Sequence, residues 1–217
     1  MLNDLLNQNP DRFIPLFIFT SGYTTPWGIQ RDAFYNVTGI PSVWYDGLFD
    51  AYYEGWAQGY PYPYTGYMPV ALDERLLIPT DVTIDVQVAG AGDTWRATAT
   101  VCIEPGGTGR DLRVHMVRYL DWYPTVYNYY RNCVMEGHQM PDITLAAGEC
   151  AQVEQAFVLD ANSLVNPDNV GIAVFAQDPL AGASAEVRQA GQQRAPFPGV
   201  FMHGFEDGTA NGWLVMP

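Results

Sequence analysis

From Val82 onward, apolar residues alternate with polar ones, a pattern that commits a chain to half-buried strands and excludes most other folds. Val82, Ile84, Val86 and Val88 make one such face, and the glycines at 90 and 92 turn the chain. Trp95, Ala97, Ala99, Val101 and Ile103 make the next, with Arg96, Thr98, Thr100 and Cys102 on its other side. After the turn at Pro105, Gly106 and Gly107, Leu112, Val114, Met116 and Leu120 make a third. Further strands are expected over 127–135, 143–145, 149–159, 170–177 and 185–190. Strands of this length separated by turn residues point to an antiparallel immunoglobulin-like β-sandwich.

The first 78 residues have a different, mixed α/β texture. Leu2, Leu5 and Leu6 recur at helical spacing until Asn9 and Pro10. Residues 13–20, FIPLFIFT, form a nearly continuous apolar run, expected to be a strand buried on both faces. Pro26 opens a short helix ending over 32–35, followed by a turn at Thr38 and Gly39. A strand is expected over 42–45, closed by the turn pair Asp46 and Gly47. Pro41 stands just before that strand, where a missing N–H is tolerated.

Residues 44–67 are dense in aromatics, and the glycines and prolines of their second half predict a loop rather than a regular helix. Trp56, Tyr60, Tyr62 and Tyr64 are candidates to stack on sugar rings or anchor a protein interface. The competing expectation is that these rings cover a sheet edge and the junction between domains. A short helix over 70–77 stops at Ile78 and Pro79. The change of period there divides the chain into 1–78, 79–190 and a tail, 191–217, with few core positions of its own.

The run RDAFYNVTGIPSVWYDG, residues 31–47, resembles the second half of a thioredoxin-like domain. VGIAVFAQDPLAGASAEVRQA and TLAAGECAQVEQAFVLD are similar to the closing strands of the outer membrane protein 28 family. Those are bacterial exported proteins with a thioredoxin-like domain before a β-sandwich. The resemblance implies a truncated thioredoxin-like layer lacking its first strand, followed by the sandwich. It also implies a cis peptide bond at Pro41, the fold-defining proline. The dithiol that such a proline faces has no counterpart here, because the first cysteine is Cys102, so an oxidoreductase role does not carry over. The tail segment HGFEDGTANGW is similar to short segments near the ends of exported bacterial proteins.

With 24 acidic residues against ten basic ones, all arginine, the net charge of −14 argues against nucleic acid, since phosphate binding needs a basic face. No apolar run reaches the length of a membrane span. His115, His138 and His203 are scattered and share no metal-ligand spacing with the cysteines or carboxylates, so no metal or cofactor is expected. Each is expected to be solvated. No serine lies in a nucleophile-elbow context, and no catalytic group is assigned.

One disulfide plus one free thiol is the simplest use of Cys102, Cys133 and Cys150 in an exported chain. Cys133–Cys150 is preferred over Cys102–Cys150, because in an immunoglobulin-like path the ends of those strands gather at one end of the sandwich, and the pair also closes the shorter loop. These readings lead to a non-catalytic extracellular or cell-surface structural protein that self-associates through its tail, with Phe201, Phe205 and Trp213 among the anchors. Two alternatives stand beside it. One is a surface module binding glycan or peptide through the aromatic tract. The other is a thiol-disulfide protein whose dithiol lies upstream of residue 1.

Overall fold

The computed structural model describes residues 2–10, 12–39, 42–124, 129–180, 185–195 and 200–201. Most of the fold is antiparallel β-sheet, joined by a smaller set of helices. β3 (Val82–Ala91), β4 (Thr94–Ile103) and β10 (Cys150–Val158) form one sheet in the order β10-β4-β3. β5 (Arg110–Leu120), β8 (Cys133–Gln139), β11 (Val170–Gln177) and β12 (Val187–Arg194) form the second, in the order β12-β11-β5-β8. β9 (Ile143–Leu145) pairs with the start of β5.

The alternating residues meet between the sheets as expected. Val82, Trp95, Ala97, Ala99, Val101 and Ile103 pack against Leu112, Val114, Met116, Ile172 and Val174. Burial of such side chains stabilises by roughly 25 cal/mol per Å² removed from water. The last strand lies at 187–194 rather than 185–190, and the expected strand over 127–135 is divided. Its parts are β7 (Tyr129–Tyr130), which pairs with β6 (Tyr123–Pro124), and β8.

β11 is buried at every position because the second sheet is covered on both faces. Its outer face, with Val117, Val134 and Phe175, packs under Trp27 of α2 (Pro26–Phe34) and under Leu16 and Ile18. α2 begins with Pro26 in its first turn, and Thr25 Oγ1 accepts the Gly28 N–H at 2.9 Å. At Gly171 a Cβ would collide with the ring of Tyr119, so only glycine fits there.

The remaining N-terminal elements surround a second core of Leu5, Tyr45, Ala51, Met68 and Leu72. They are α1 (Leu2–Gln8), the pair β1 (Trp44–Tyr45) and β2 (Phe49–Asp50), α3 (Ala51–Ala57) and α4 (Pro63–Leu76). Asp50 caps α3, accepting from the N–H groups of Tyr52 and Tyr53. The aromatic tract is therefore largely helical, contrary to expectation. Pro63 sits in the first turn of α4, where its missing N–H has no helical partner to lose, and Gly55 packs closely against Pro63 and Tyr67.

Residues 13–20 are not a strand buried on both faces. They run half-buried along the edge of β8. Their one ladder contact pairs Phe17 with Cys133, through Phe17 N–H to Asn132 O and Val134 N–H to Phe17 O. Pro15 supplies no N–H, and its carbonyl is taken by the Asn132 side chain at 2.9 Å.

The disulfide joins Cys102 to Cys150, which face each other across β4 and β10 with Cα atoms 4.0 Å apart. The preferred pairing with Cys133 is thereby corrected, since direct cross-strand register decides over loop length. Cys133 is a buried free thiol, pushed up to about 12 by burial. In the tail, β13 (Val200–Phe201) pairs in parallel with β3 of its own chain. Pro41, the side chains of Tyr64 and Phe201, and the anchors Phe205 and Trp213 lie outside the described residues.

Candidate binding cleft

Between the N-terminal elements and the outer face of the second sheet runs a cleft of about 1170 Å³. One wall is the extended run that includes Phe13, Leu16 and Ile18, and another is Val43 to Tyr45, with Leu72 and Leu76 of α4 beside them. Phe13 and Tyr45 meet edge to face at 6.2 Å. β1 pairs with β2 on one side, and no strand among the described residues pairs with its other side. Both walls therefore border the cleft with strand-like backbone that has a single neighbour.

One end of the cleft is polar. Arg75 of α4 bonds Asp46 at 2.7 Å and Glu186 at 3.0 Å, and Arg188 also contacts Glu186. Val187 N–H donates to Asp46 O at 2.7 Å, tying the β1–β2 turn to β12. These bonds hold the two layers together.

The most enclosed polar group of the cleft lining is Arg31, 4% exposed. Its guanidinium lies over the rings of Phe34 and Tyr35, at 4.3 and 4.6 Å. Its Nη2 donates to Tyr35 Oη at 2.5 Å and to Gln177 Oε1 at 3.0 Å. Tyr35 in turn stacks on Trp44 at 4.7 Å. Burial lowers the Arg31 pKa, the hydroxyl of Tyr35 works against that, and Arg113 adds to it.

Beneath Arg31 lies His115, 1% exposed and stacked on Phe175 at 4.8 Å. The expectation of a solvated histidine fails here because α2 covers this face of β5. Burial first, then Arg31 and Arg113, lower its pKa to about 3, so the imidazole is neutral. A neutral imidazole accepts one hydrogen bond, yet two obligate donors flank it. Trp27 Nε1 is 3.2 Å from Nδ1, and Arg31 Nη1 is 3.5 Å from Nε2. The shorter contact takes the lone pair, which leaves the proton on Nε2 and sets donor against donor at Arg31. Nothing in the sequence singled out Arg31 or His115. The one available signal was that His115 stands among Val114, Met116 and Val117, a stretch apolar on both faces.

The aromatic candidates divide. Trp56 is 50% exposed and Tyr62 75% exposed, whereas Tyr60 is half-buried and packs on Tyr67 at 5.4 Å. Tyr52 sets its ring edge-on to Trp56 at 6.3 Å. Among the described residues no group of three or more His, Cys, Asp or Glu side chains is placed to hold a metal ion, and no helix is long and apolar enough to cross a membrane.

No protein-family model and no curated protein sequence matches the chain. Solved structures do. HBP35 of Porphyromonas gingivalis superposes with a TM-score of 0.58 at 13% identity, over 76% of this chain and 56% of that one. This chain thus spans a little over half the length of that relative. A protein of Agrobacterium tumefaciens superposes with a TM-score of 0.52 at 16% identity, over 88% of this chain and 84% of that one. A domain of the outer membrane lipoprotein Omp28 from Porphyromonas gingivalis overlaps 54% of this chain and 90% of its own length, at 13% identity and a TM-score of 0.36. At these identities the first two likenesses are likenesses of fold.

Proposed function

We propose that this chain is a non-catalytic structural subunit of an extracellular or outer-cell-surface assembly, joined to its neighbours by an extended segment laid into the cleft. The observation that carries this reading is the pair of cleft walls, 13–19 and 43–45, each strand-like and each with a neighbour on one side only. Backbone of that kind next to apolar side chains is a template for strand addition. The tail of a second copy is the occupant, through residues 202–217, since 200–201 pair with β3 of their own chain, and a contact of that kind that does not close generates a filament. The order of α1, extended run, α2, β1–β2 and α4 suits a thioredoxin-like layer without its first strand over 1–78, followed by the sandwich, whose last strand β12 runs past the expected boundary at 190 to Arg194. The cross-strand disulfide supports an oxidising location. Deleting residues 196–217 and measuring particle size by light scattering tests the reading. Loss of assembly is expected, and a deletion variant that assembles like the full chain overturns it.

The exposed rings of Trp56 and Tyr62 favour a second reading, glycan or peptide binding on α3 and α4. Acrylamide quenching and glycan-array binding of a Trp56→Ala, Tyr62→Ala double variant distinguish the two. Undiminished binding by that variant removes the second reading.

A further inference from the structure

Eight of the ten arginines contact an aspartate or glutamate, including Arg118, the other deeply buried one, which reaches Glu136 and Asp160. Arg12 is exposed and donates to a carbonyl. Arg31 is buried with no carboxylate partner among the described residues, in a chain where acids outnumber bases more than two to one. A buried cation without a counter-ion is unfavourable, and aromatic faces offset that only in part.

The hydrogen bonding around it is met only in part: Nη2 donates to Tyr35 Oη and Gln177 Oε1, while Nη1 faces only the His115 ring. Arg31 Nη1 meets the protonated Nε2 of His115 at 3.5 Å, as derived above. Tyr35 Oη accepts twice, from Arg31 at 2.5 Å and from Gln177 at 3.4 Å. Its own proton has no acceptor among the described residues. Gly47 lies so close that a Cβ there would come within 3.3 Å of Tyr35 Oη and nearer still to Gln177 and Ala185. The arrangement is therefore held fixed around Arg31 and Tyr35, and both side chains line the cleft.

We propose that Arg31, assisted by the Tyr35 hydroxyl, binds a carboxylate on the segment that enters the cleft, and that Glu206 and Asp207 in the tail of a second copy supply it. The inference rests on the strand-addition reading and adds its chemical specificity. A cleft with apolar walls and one buried cation lacking a counter-ion calls for a segment that joins an apolar side chain to an acid. The tail stretch Gly204-Phe205-Glu206-Asp207-Gly208 has that composition. A carboxylate would give Arg31 Nη1 and the Tyr35 proton an acceptor, as charge-assisted bonds, and the guanidinium its counter-ion.

The test uses the full chain and two capped tetrapeptides, Phe-Glu-Asp-Gly and Phe-Gln-Asn-Gly, with binding followed by calorimetry. The acidic peptide is expected to bind at least about tenfold more tightly. Arg31→Gln should abolish the difference, and Tyr35→Phe, which removes one hydroxyl and keeps the ring stack, should reduce it about threefold. Equal binding of the two peptides overturns the inference while leaving strand addition standing. So does acetate that competes as well as the acidic peptide, since the site would then read any small anion. Binding of neither peptide overturns the inference, and the tail deletion then decides the strand-addition reading separately. Should Arg31→Gln fail to fold, the Tyr35→Phe result and the Glu206→Gln, Asp207→Asn tail variant, expected to assemble about tenfold less readily, carry the same decision.

Discussion

The indole of Trp27 lies directly on the backbone of Gly137, where an added Cβ would sit 2.5 Å from the ring carbon Cδ2. That contact seats α2 on the second sheet and so fixes where Arg31, four residues along the helix, meets His115. Gly137→Ala must therefore push the helix outward. Overpacking of this kind costs roughly 1–3 kcal/mol. A thermal melt should show a lower midpoint by about 2–4 °C per kcal/mol for a chain of this size. An unchanged midpoint would mean that α2 does not bear on the sheet there.

Acid should loosen the same region. His115 has its folded pKa lowered from 6.5 to about 3, so between those values the unfolded chain binds a proton that the folded one refuses. Stability then falls as pH drops below 6.5, by up to about 1.4 kcal/mol per unit. Denaturant midpoints measured from pH 7 to pH 4.5 should show this slope, and His115→Gln should flatten it.

Arg75 clamps the two layers through Asp46 and Glu186. Arg75→Ala leaves Asp46 without its partner while Glu186 keeps Arg188, and should cost roughly 1 kcal/mol for a partly exposed pair. The loss should be local. Hydrogen exchange is expected to quicken over 44–50 and 63–76, while β3, β4 and β5 stay protected. Uniform acceleration throughout would mean that the layers do not open separately.

Cys133 should resist alkylation in the native protein, because it is buried and its thiol is pushed up to about 12. Denaturation without reductant should expose one thiol. Reduction should expose three, and removing the bridge by Cys102→Ser with Cys150→Ser should cost about 4 kcal/mol by the loop-closure estimate. Three thiols in the unreduced, denatured chain would mean that no bridge forms.

The sandwich was legible because alternation carries strand, face and register at once, and Val82 to Ile103 shows all three. Residues 13–20 misled because a continuous apolar run records burial and not pairing, and here a helix and a sheet edge supply the burial. The aromatic tract misled because Pro63 and Gly55 read as breakers, although a proline in a first turn and a glycine under a crossing helix are compatible with helices. Cys102 stood on the same outer face as Thr98 and Thr100, where β10 brings Cys150 opposite, so its pairing was within reach of the strand pattern. His115 and Arg31 could not be found that way. Their meeting depends on a helix docking 84 positions away in sequence, which periodicity does not encode.

The bond between Cys102 and Cys150 closes a covalent ring, and β5, β8 and β9 all lie within it. A protease that cuts once anywhere between those two cysteines releases no fragment, because both new ends stay tied to the same molecule. On a denaturing gel without reductant the nicked chain would migrate as one piece and split only when reduced. That ring makes a single cleavage there a survivable injury, leaving the other strands and both termini attached to one another.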